Sequence, residues 1–320
     1  MSFFVSIIIP FRKKNPYLEE CLHHIEQLTY KDFEVILLPD QSETYPSYSF
    51  PLKVIPTGPF GPAQKRDIGN KAAQGTILAF IDDDAYPDPD WLTPAITHFQ
   101  KIEVAAITGP AATPSSDSFL QKASGLVYSN RFSSGHCTHR YCPQKQMEID
   151  DAASVNLLVR KSDYEKVGGF NTHYYPGEDT KLCLDFIQQL KKKIIYDPKS
   201  LVWHHRRSLF LPHLKQVSQY ALHRGYFIKR FPKNSLKLNY FLPTFFTLYM
   251  ILLLLTWVYK PQIAFIFSFP FILYIFLFIR AIIKENSFSL SAITFMGGFL
   301  THLTYGIYFI KGFLSTELKR

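Results

Sequence analysis

Three consecutive acidic residues, Asp82, Asp83 and Asp84, stand directly after an apolar run at 77–81. That run predicts a buried strand of a parallel sheet. Adjacent carboxylates repel one another, and a divalent cation would relieve the repulsion. Mg²⁺ is commonly held by one or two carboxylates, with substrate phosphates completing its coordination. The triplet therefore indicates either a metal–diphosphate site or an acidic turn that caps the next helix, because residues 87–90 also favour turns and caps.

A second acidic pair, Glu178 and Asp179, follows Gly177 and opens a predicted helix that runs to about Leu190. The dipole of a helix stabilises negative charge at its N-terminus. A purely structural role would therefore explain the pair. A chemical role needs further support.

A basic stretch, Trp203 to Arg207, follows the last predicted strand. His204 and Arg206 or Arg207 could meet an anionic phosphate group. They could equally form a structural or lipid-facing turn, and both interpretations stay open.

Residues 119–150 show no clear periodicity and contain His136, Cys137, His139 and Cys142. Histidine and cysteine are zinc ligands, but this spacing matches no common structural zinc pattern. We interpret the stretch as a loop over the active site.

Strand and helix signals alternate along the first two thirds of the chain. Asn15 and Pro16 open the first predicted helix as N-cap and first helical residue. This alternation predicts an α/β fold with a mostly parallel sheet. Ligands of such sheets bind beyond the carboxyl ends of the strands, where the acidic triplet lies.

The chain has 320 residues and a net charge of +9, with 16% aromatic residues and four cysteines. Irregular cysteine spacing indicates reduced thiols rather than a disulfide framework. A basic protein could bind nucleic acid, anionic lipid or anionic substrates. The basic residues cluster beside apolar segments, which favours a lipid surface and argues against nucleic acid.

The last third of the chain is apolar. A basic amphipathic helix at 213–230 suits the face of an anionic membrane. Three apolar segments follow, and each is long enough to cross a hydrocarbon core of about 30 Å. We expect spans at about 241–259, 262–282 and 291–311. A hydrophobic soluble domain is the competing interpretation.

Basic residues flank the apolar segments. They precede the first span at Arg224, Lys229, Arg230, Lys233 and Lys237, and Arg280 and Lys284 follow the second span. The positive-inside rule then places the catalytic portion in the cytoplasm and makes the protein a multi-pass membrane protein. Lys311, Lys319 and Arg320 would lie outside, against the rule, so the third segment is either a span or an interfacial or re-entrant helix.

Several motifs occur in one order along residues 3–210, and together they resemble the family-2 glycosyltransferases of GT-A fold. The motifs lie at 6–11, 33–42, 61–70, 81–84, 156–160, 167–170 and 177–179. The stretch 203–207 and the segments after it resemble the membrane-bound branch that builds exopolysaccharides or lipid-linked glycans. We therefore expect a GT-A domain at 1–210, an interfacial helix and linker at 211–237 and a membrane domain at 238–320.

The resemblance implies an inverting transfer of a sugar from a nucleotide-diphosphate sugar to a hydroxyl. Asp84, assisted by Asp82, would hold Mg²⁺ or Mn²⁺ across the diphosphate. Asp179 matches the catalytic acid motif of the family and would take the proton of the acceptor hydroxyl. Glu178 would orient Asp179 or act as the base itself.

The remaining implied roles concern the donor. Asp40 and Arg66 match positions that bind the nucleobase, and Pro10, at the end of the first motif strand, is a further expected donor-binding residue. Asp82 or Asp83 could instead bind the ribose. Family members usually carry two acids after the second strand, whereas Pro39 replaces the first here, which leaves the base identity open.

Two acceptors fit a membrane-tethered transferase. A saccharide linked to a polyprenyl diphosphate is the one that we favour, in cell-surface polysaccharide synthesis, and polyprenyl phosphate itself is the alternative. A non-catalytic, membrane-anchored protein that binds nucleotide sugars is a third interpretation. The retained acidic residues argue against it.

Overall fold

The protein is described by a computed structural model over residues 3–283 and 287–318. Its strands are β1 (Val5–Pro10), β2 (Phe33–Leu38), β3 (Leu52–Val54), β4 (Ile77–Ile81), β5 (Ala85–Pro87), β6 (Val104–Thr108), β7 (Ala111–Ala112), β8 (Met147–Ile149), β9 (Asn156–Arg160), β10 (Lys193–Tyr196) and β11 (Val202–His204). Its α-helices are α1 (Pro16–Glu26), α2 (Pro62–Ala72), α3 (Leu92–His98), α4 (Phe119–Ser129), α5 (Arg131–Ser134), α6 (Lys161–Lys166), α7 (Glu178–Gln188), α8 (Leu211–Arg230), α9 (Pro232–Ser235), α10 (Leu238–Tyr259), α11 (Pro261–Phe267), α12 (Phe269–Ile283) and α13 (Phe288–Leu314).

The chain divides into two compact units. The first contains Met1–Pro114 and His139–His205, and the second contains Ser115–Thr138 and Arg206–Arg320. The division after His205 lies close to the predicted boundary at 210. The predicted domains 1–210, 211–237 and 238–320 stay predictions.

A large sheet forms the core of the first unit. The strand order is β3-β2-β1-β4-β9-β6-β10-β8, and β3, β2, β1 and β4 are parallel to one another. Strand β9 runs antiparallel to both β4 and β6, while β10 is parallel to β6. This architecture confirms the predicted α/β class with a mostly parallel sheet. The carboxyl ends of β1, β2 and β4 share one edge.

A small sheet, β5-β11-β7, lies in the same unit. Strand β5 begins one residue after the acidic triplet and pairs antiparallel with β11, so that Ala85 stands opposite His204. The pairing brings His204 and His205 to the acidic turn, although about 120 residues separate them along the chain.

Helix α1 begins as predicted. The side chain of Asn15 caps it by accepting a hydrogen bond from the backbone N–H of Leu18, and Pro16 occupies the first turn. The buried face of the helix consists of Leu18, Cys21, Leu22 and Ile25, which pack in the core of the sheet. This apolar face fixes α1 on the sheet and leaves its opposite side for polar contacts.

Helix α8 packs against α13 in the second unit. A Cβ atom at Gly225 would lie 2.1 Å from the carbonyl oxygen of Phe309, and one at Gly312 would lie 1.9 Å from that of Leu222. Only glycine permits this approach. The apolar residues of this helix, such as Val217 and Phe227, are therefore buried in protein. The interfacial position expected for the helix stays a prediction.

Three helical stretches are long and apolar enough to cross a membrane: Leu238–Tyr259, Pro261–Ile283 and Phe288–Leu314. They contain the spans predicted at 241–259, 262–282 and 291–311. The third is one continuous helix, so it is not a re-entrant hairpin. Three of the basic residues used to predict the topology, Lys284, Lys319 and Arg320, lie outside the described residues.

Residues 119–140 are helical, which differs from the prediction. We expected a loop there, but α4, α5 and a 3₁₀-helix at Gly135–Arg140 occupy it. Ser118 begins α4 in a capping box with Gln121, a local signal that sequence reasoning missed.

Within residues 3–283 and 287–318, no group of three or more His, Cys, Asp or Glu side chains is arranged to hold a metal ion.

Candidate active site

Each carboxylate of the acidic triplet has a different partner in the first unit. Asp82 forms an ion pair with Arg66. Asp83 accepts a hydrogen bond of 2.6 Å from the side-chain amide of Asn15. The Oδ1 atom of Asp84 lies 3.2 Å from Nε2 of His204. The pKa of Asp83 is raised to about 6. Burial is the larger cause, and the charge of Asp84 is the second.

Arg66 is the cation that joins two parts of the site. Its side chain is 2% exposed, on the face of α2 that packs on the sheet. Besides Asp82, it meets Glu178 at the start of α7, with 3.5 Å between Nη1 and Oε1. Burial alone would lower the pKa of Arg66, yet Asp82 and Glu178 raise it. The guanidinium therefore stays charged between the end of β4 and the start of α7.

The acidic pair at the start of α7 lies where the sequence predicts it. Gly177 precedes the helix with a φ of 112°, a left-handed conformation that favours glycine. Glu178 is buried, and this burial, followed by the charge of Asp179, raises its pKa to about 7. The Oδ1 atom of Asp179 accepts a hydrogen bond of 2.8 Å from the backbone N–H of Thr180. The pair thus combines one carboxyl that titrates near neutrality with one held at the helix N-terminus.

Asp40 follows β2, as predicted, and its partner is Lys65. The ammonium group of Lys65 is 2.5 Å from Oδ1 of Asp40 and also donates to the carbonyl oxygen of Leu38 at 3.0 Å. Lys65 is 2% exposed. Sequence reasoning assigned it no role. The signal lay in its position beside Ala63, Arg66 and Gly69, the face of α2 that packs on the sheet.

His205 contributes a contact that the sequence did not reveal. Its backbone N–H donates to the carbonyl oxygen of Asp84 at 3.0 Å. Its imidazole lies 2.8 Å from a carboxylate oxygen of Glu20 and stacks on the ring of Tyr17, with 4.4 Å between ring centroids. Strand β11 therefore supplies His204 to Asp84, and His205, directly after the strand, contacts α1.

Pro10 and Arg206 are two further residues predicted to bind the donor. Pro10 ends β1 and is buried opposite Leu38. Arg206 belongs to the second unit, where its backbone N–H donates to Asp117 and its guanidinium lies 5.8 Å from the ring centroid of Tyr128. Their roles at the donor stay predictions.

The geometry fits a cation with few protein ligands. The Oδ1 atom of Asp84 and the Nε2 atom of His204 lie 3.2 Å apart, whereas the carboxylate of Asp82 already pairs with Arg66. Mg²⁺ usually keeps several waters and takes one or two carboxylates together with substrate phosphates. Asp84 is accordingly the better placed of the two predicted metal ligands.

A comparison with protein families identifies the chain. The model of the family "Glycosyl transferase family 2" matches residues 6–168, which is half of the chain. The chain belongs to glycosyltransferase family 2. The matched range includes Asp40, Arg66 and the acidic triplet, and it ends ten residues before Glu178.

Individual relatives match shorter parts of the transferase. It is 37% identical over 90 residues to the uncharacterised glycosyltransferase EpsJ of Bacillus subtilis, which is 26% of each chain. It is 22% identical over 151 residues to a glucosyl-dolichyl phosphate glucuronosyltransferase of Haloferax volcanii, 45% of this chain and 47% of the relative. The match thus spans between a quarter and a half of these relatives.

A solved structure shares the fold of this glycosyltransferase over nearly its whole length. It is the mannosyltransferase PcManGT from Pyrobaculum calidifontis, in complex with GDP-Man and Mn²⁺. The TM-score is 0.56 at 17% identity, with 99% of this chain and 89% of the other covered. The likeness confirms the predicted GT-A fold.

Proposed function

We propose that this family-2 glycosyltransferase moves a sugar, with inversion, from a nucleotide-diphosphate sugar to a hydroxyl of a lipid-linked saccharide. The observation that carries the proposal is the position of Arg66 between Asp82 and Glu178. Arg66 joins two parts of the site. One is the acidic turn, which suits a diphosphate and its cation. The other is the carboxyl pair of Glu178 and Asp179, which suits proton transfer. The pathway would be the synthesis of a cell-surface polysaccharide.

The donor would lie along the edge formed by the ends of β2 and β4. Asp40, which pairs with Lys65, supports recognition of the nucleobase, because a carboxylate can accept hydrogen bonds from the N–H groups of a base. Asp84 and His204 would hold Mg²⁺ or Mn²⁺ on the diphosphate, and such a cation stabilises the charge that develops on the leaving nucleotide. The structure of PcManGT, which shares the fold and contains Mn²⁺, supports a divalent cation here.

Inversion requires a base on the face of the sugar opposite the leaving group. We assign this role to Asp179, because the α7 N-terminus favours its ionised form and thus its capacity to accept a proton. Glu178 is buried beside Arg66 and would orient Asp179. As the acceptor oxygen attacks the anomeric carbon, the bond to the diphosphate breaks and the acceptor proton passes to Asp179.

A membrane-bound acceptor is supported by two observations. The chain has three helices that are apolar and long enough to cross a membrane. The name of the relative from Haloferax volcanii describes a sugar on dolichyl phosphate. The basic residues before the first apolar helix favour a membrane surface rich in anionic lipid and a cytoplasmic active site.

The test uses the full chain in detergent with Mn²⁺ or Mg²⁺ and a panel of nucleotide sugars. Release of nucleotide diphosphate is followed with and without a lipid extract, beside Asp84→Ala and Asp179→Ala. We expect metal-dependent release from one donor, increased by lipid and lost in both variants. Nucleotide binding without release from any donor, in the presence of lipid-linked saccharides, would contradict the proposal and favour a non-catalytic binding protein. Release with polyprenyl phosphate alone would identify the simpler acceptor.

A further inference from the structure

Helix α1 makes two side-chain contacts that flank the Asp84–His204 pair. Asn15 contacts Asp83, which directly precedes Asp84 in the chain. Glu20 contacts His205, which directly follows His204. One helix thus touches both peptide segments that carry the pair, and neither contact belongs to the roles assigned above.

The Asn15 contact ties the acidic turn to the helix backbone. The amide nitrogen donates to Oδ2 of Asp83 at 2.6 Å, while the amide oxygen accepts from the backbone N–H of Leu18 at 3.0 Å. Because both ends of the amide are engaged, the position of Asp83 follows that of α1. A hydrogen bond to a charged group contributes more than one between neutral groups.

The Glu20 contact reaches Asp84 through the backbone. The buried imidazole of His205 is held between Glu20, at 2.8 Å, and the ring of Tyr17. The N–H of the same residue donates to the carbonyl oxygen of Asp84 at 3.0 Å. Movement of His205 would therefore shift both His204 and Asp84.

We propose that Asn15 and Glu20 are positioning residues that hold Asp84 and His204 at the separation needed to bind a divalent cation on the donor diphosphate. The inference rests on the proposed function. Three adjacent carboxylates would otherwise spread apart by mutual repulsion, and a cation site depends on groups that orient its ligands. Helix α1 is a suitable support because its apolar face is fully packed in the core.

The variants Asn15→Ser and Glu20→Ala test the proposal. Serine keeps an N-cap acceptor for α1 but has no amide to donate to Asp83. Alanine keeps the helix and removes the partner of His205. Glu19→Ala is the matched control, because Glu19 is the neighbouring acid on α1, 58% exposed, and pairs only with Lys14 among the ion pairs of the described residues.

The measurement is Mn²⁺ binding by electron paramagnetic resonance, with the full chain in detergent and UDP or GDP present, together with the unfolding temperature. We expect Asn15→Ser and Glu20→Ala to weaken Mn²⁺ binding about 10-fold or more, the usual effect of removing groups that orient metal ligands. The unfolding temperature and the Mn²⁺ affinity of Glu19→Ala should match those of the wild type.

Unchanged Mn²⁺ affinity in both Asn15→Ser and Glu20→Ala would overturn the inference, even if sugar transfer is confirmed. If Asn15→Ser lowers the unfolding temperature, the Mn²⁺ affinity of Glu20→Ala decides whether the inference holds, because this variant leaves the N-cap of α1 intact. A wild-type protein that binds nucleotide diphosphate but no Mn²⁺ would overturn the metal dependence in the proposed function as well. The wild type and the variants thus separate the two failures.

Discussion

The guanidinium of Arg66 lies between the carboxylates of Asp82 and Glu178, with 3.5 Å from its Nη1 to Oε1 of Glu178. One buried positive charge therefore serves two acidic groups that come from the end of β4 and the start of α7. Removal of one partner from a buried ion pair leaves an uncompensated charge, which costs more than the pair contributes. This relationship makes Arg66 a structural link between the end of β4 and the start of α7.

Replacement of Arg66 should destabilise the first unit. We expect Arg66→Leu to lower the free energy of unfolding by about 3–5 kcal/mol, because Glu178 and Asp82 lose their counterion while Glu178 stays buried. Chemical denaturation in detergent, followed by tryptophan fluorescence, measures the change, since Trp91 is buried in the core of this unit. Arg12→Leu at an exposed position is the control. Equal losses in both variants would contradict the prediction.

The raised pKa of Glu178 predicts a pH dependence of stability. Its folded pKa of about 7 exceeds the ordinary value of 4.5, so the folded state binds the proton more tightly. Stability must therefore fall as pH rises from about 4.5 to 7 and then stay level as far as this group is concerned. We expect Glu178→Gln to unfold at a higher temperature than the wild type at pH 8. The difference should shrink towards pH 5.

A matched acid tests whether the effect belongs to Glu178. Glu165→Gln changes an exposed carboxyl on α6 and should leave the pH dependence of the unfolding temperature unchanged. A difference between Glu178→Gln and wild type that stays constant from pH 5 to pH 8 would show that the group does not titrate in this range.

Loss of the proposed base should affect turnover rather than donor binding. We expect Asp179→Asn to reduce the rate of sugar transfer by about 10²–10⁴-fold, the usual contribution of a general base. Nucleotide binding, measured by isothermal titration calorimetry, should stay within twofold of the wild type. Asp84→Asn should instead weaken Mn²⁺-dependent nucleotide binding. If Asp179→Asn retains full turnover, Glu178 becomes the candidate base.

The close packing of α8 and α13 predicts a strong effect at Gly225. A Cβ atom there would lie 2.1 Å from the backbone of Phe309, so the helices must separate to accept it. We expect Gly225→Ala to lower the unfolding temperature of the second unit, with an overpacking cost of about 1–3 kcal/mol. Gln219→Ala, at an exposed position of the same helix, should have no such effect. A Gly225→Ala variant as stable as the wild type would refute the packing.

Several parts of the fold and the site could be predicted because their signals are local. The apolar run at 77–81 followed by acids marked the end of β4, and Asn15 with Pro16 marked the start of α1. The apolar C-terminal segments predicted long helices from composition alone. In each case the signal lies in residues that are close together in sequence, since hydrophobic periodicity and capping depend on neighbouring residues.

The partners within the site could not be predicted in this way. The contacts Asn15–Asp83 and Glu20–His205 join residues 68 and 185 positions apart. The role of Lys65 depends on which side of α2 faces the sheet. The amphipathic pattern of α8 did not show that its apolar face packs on α13, where two glycines let the helices approach.

The amino-acid sequence determined the family, the α/β class, the positions of the acidic groups and the apolar helices, because these follow from short motifs and local hydrophobic patterns. Only the tertiary structure decided which cation meets which carboxylate. Strand order and helix packing bring Arg66 to Glu178 and His204 to Asp84, and no spacing along the chain encodes those distances. The charges and pKa values of the site depend on these long-range pairings.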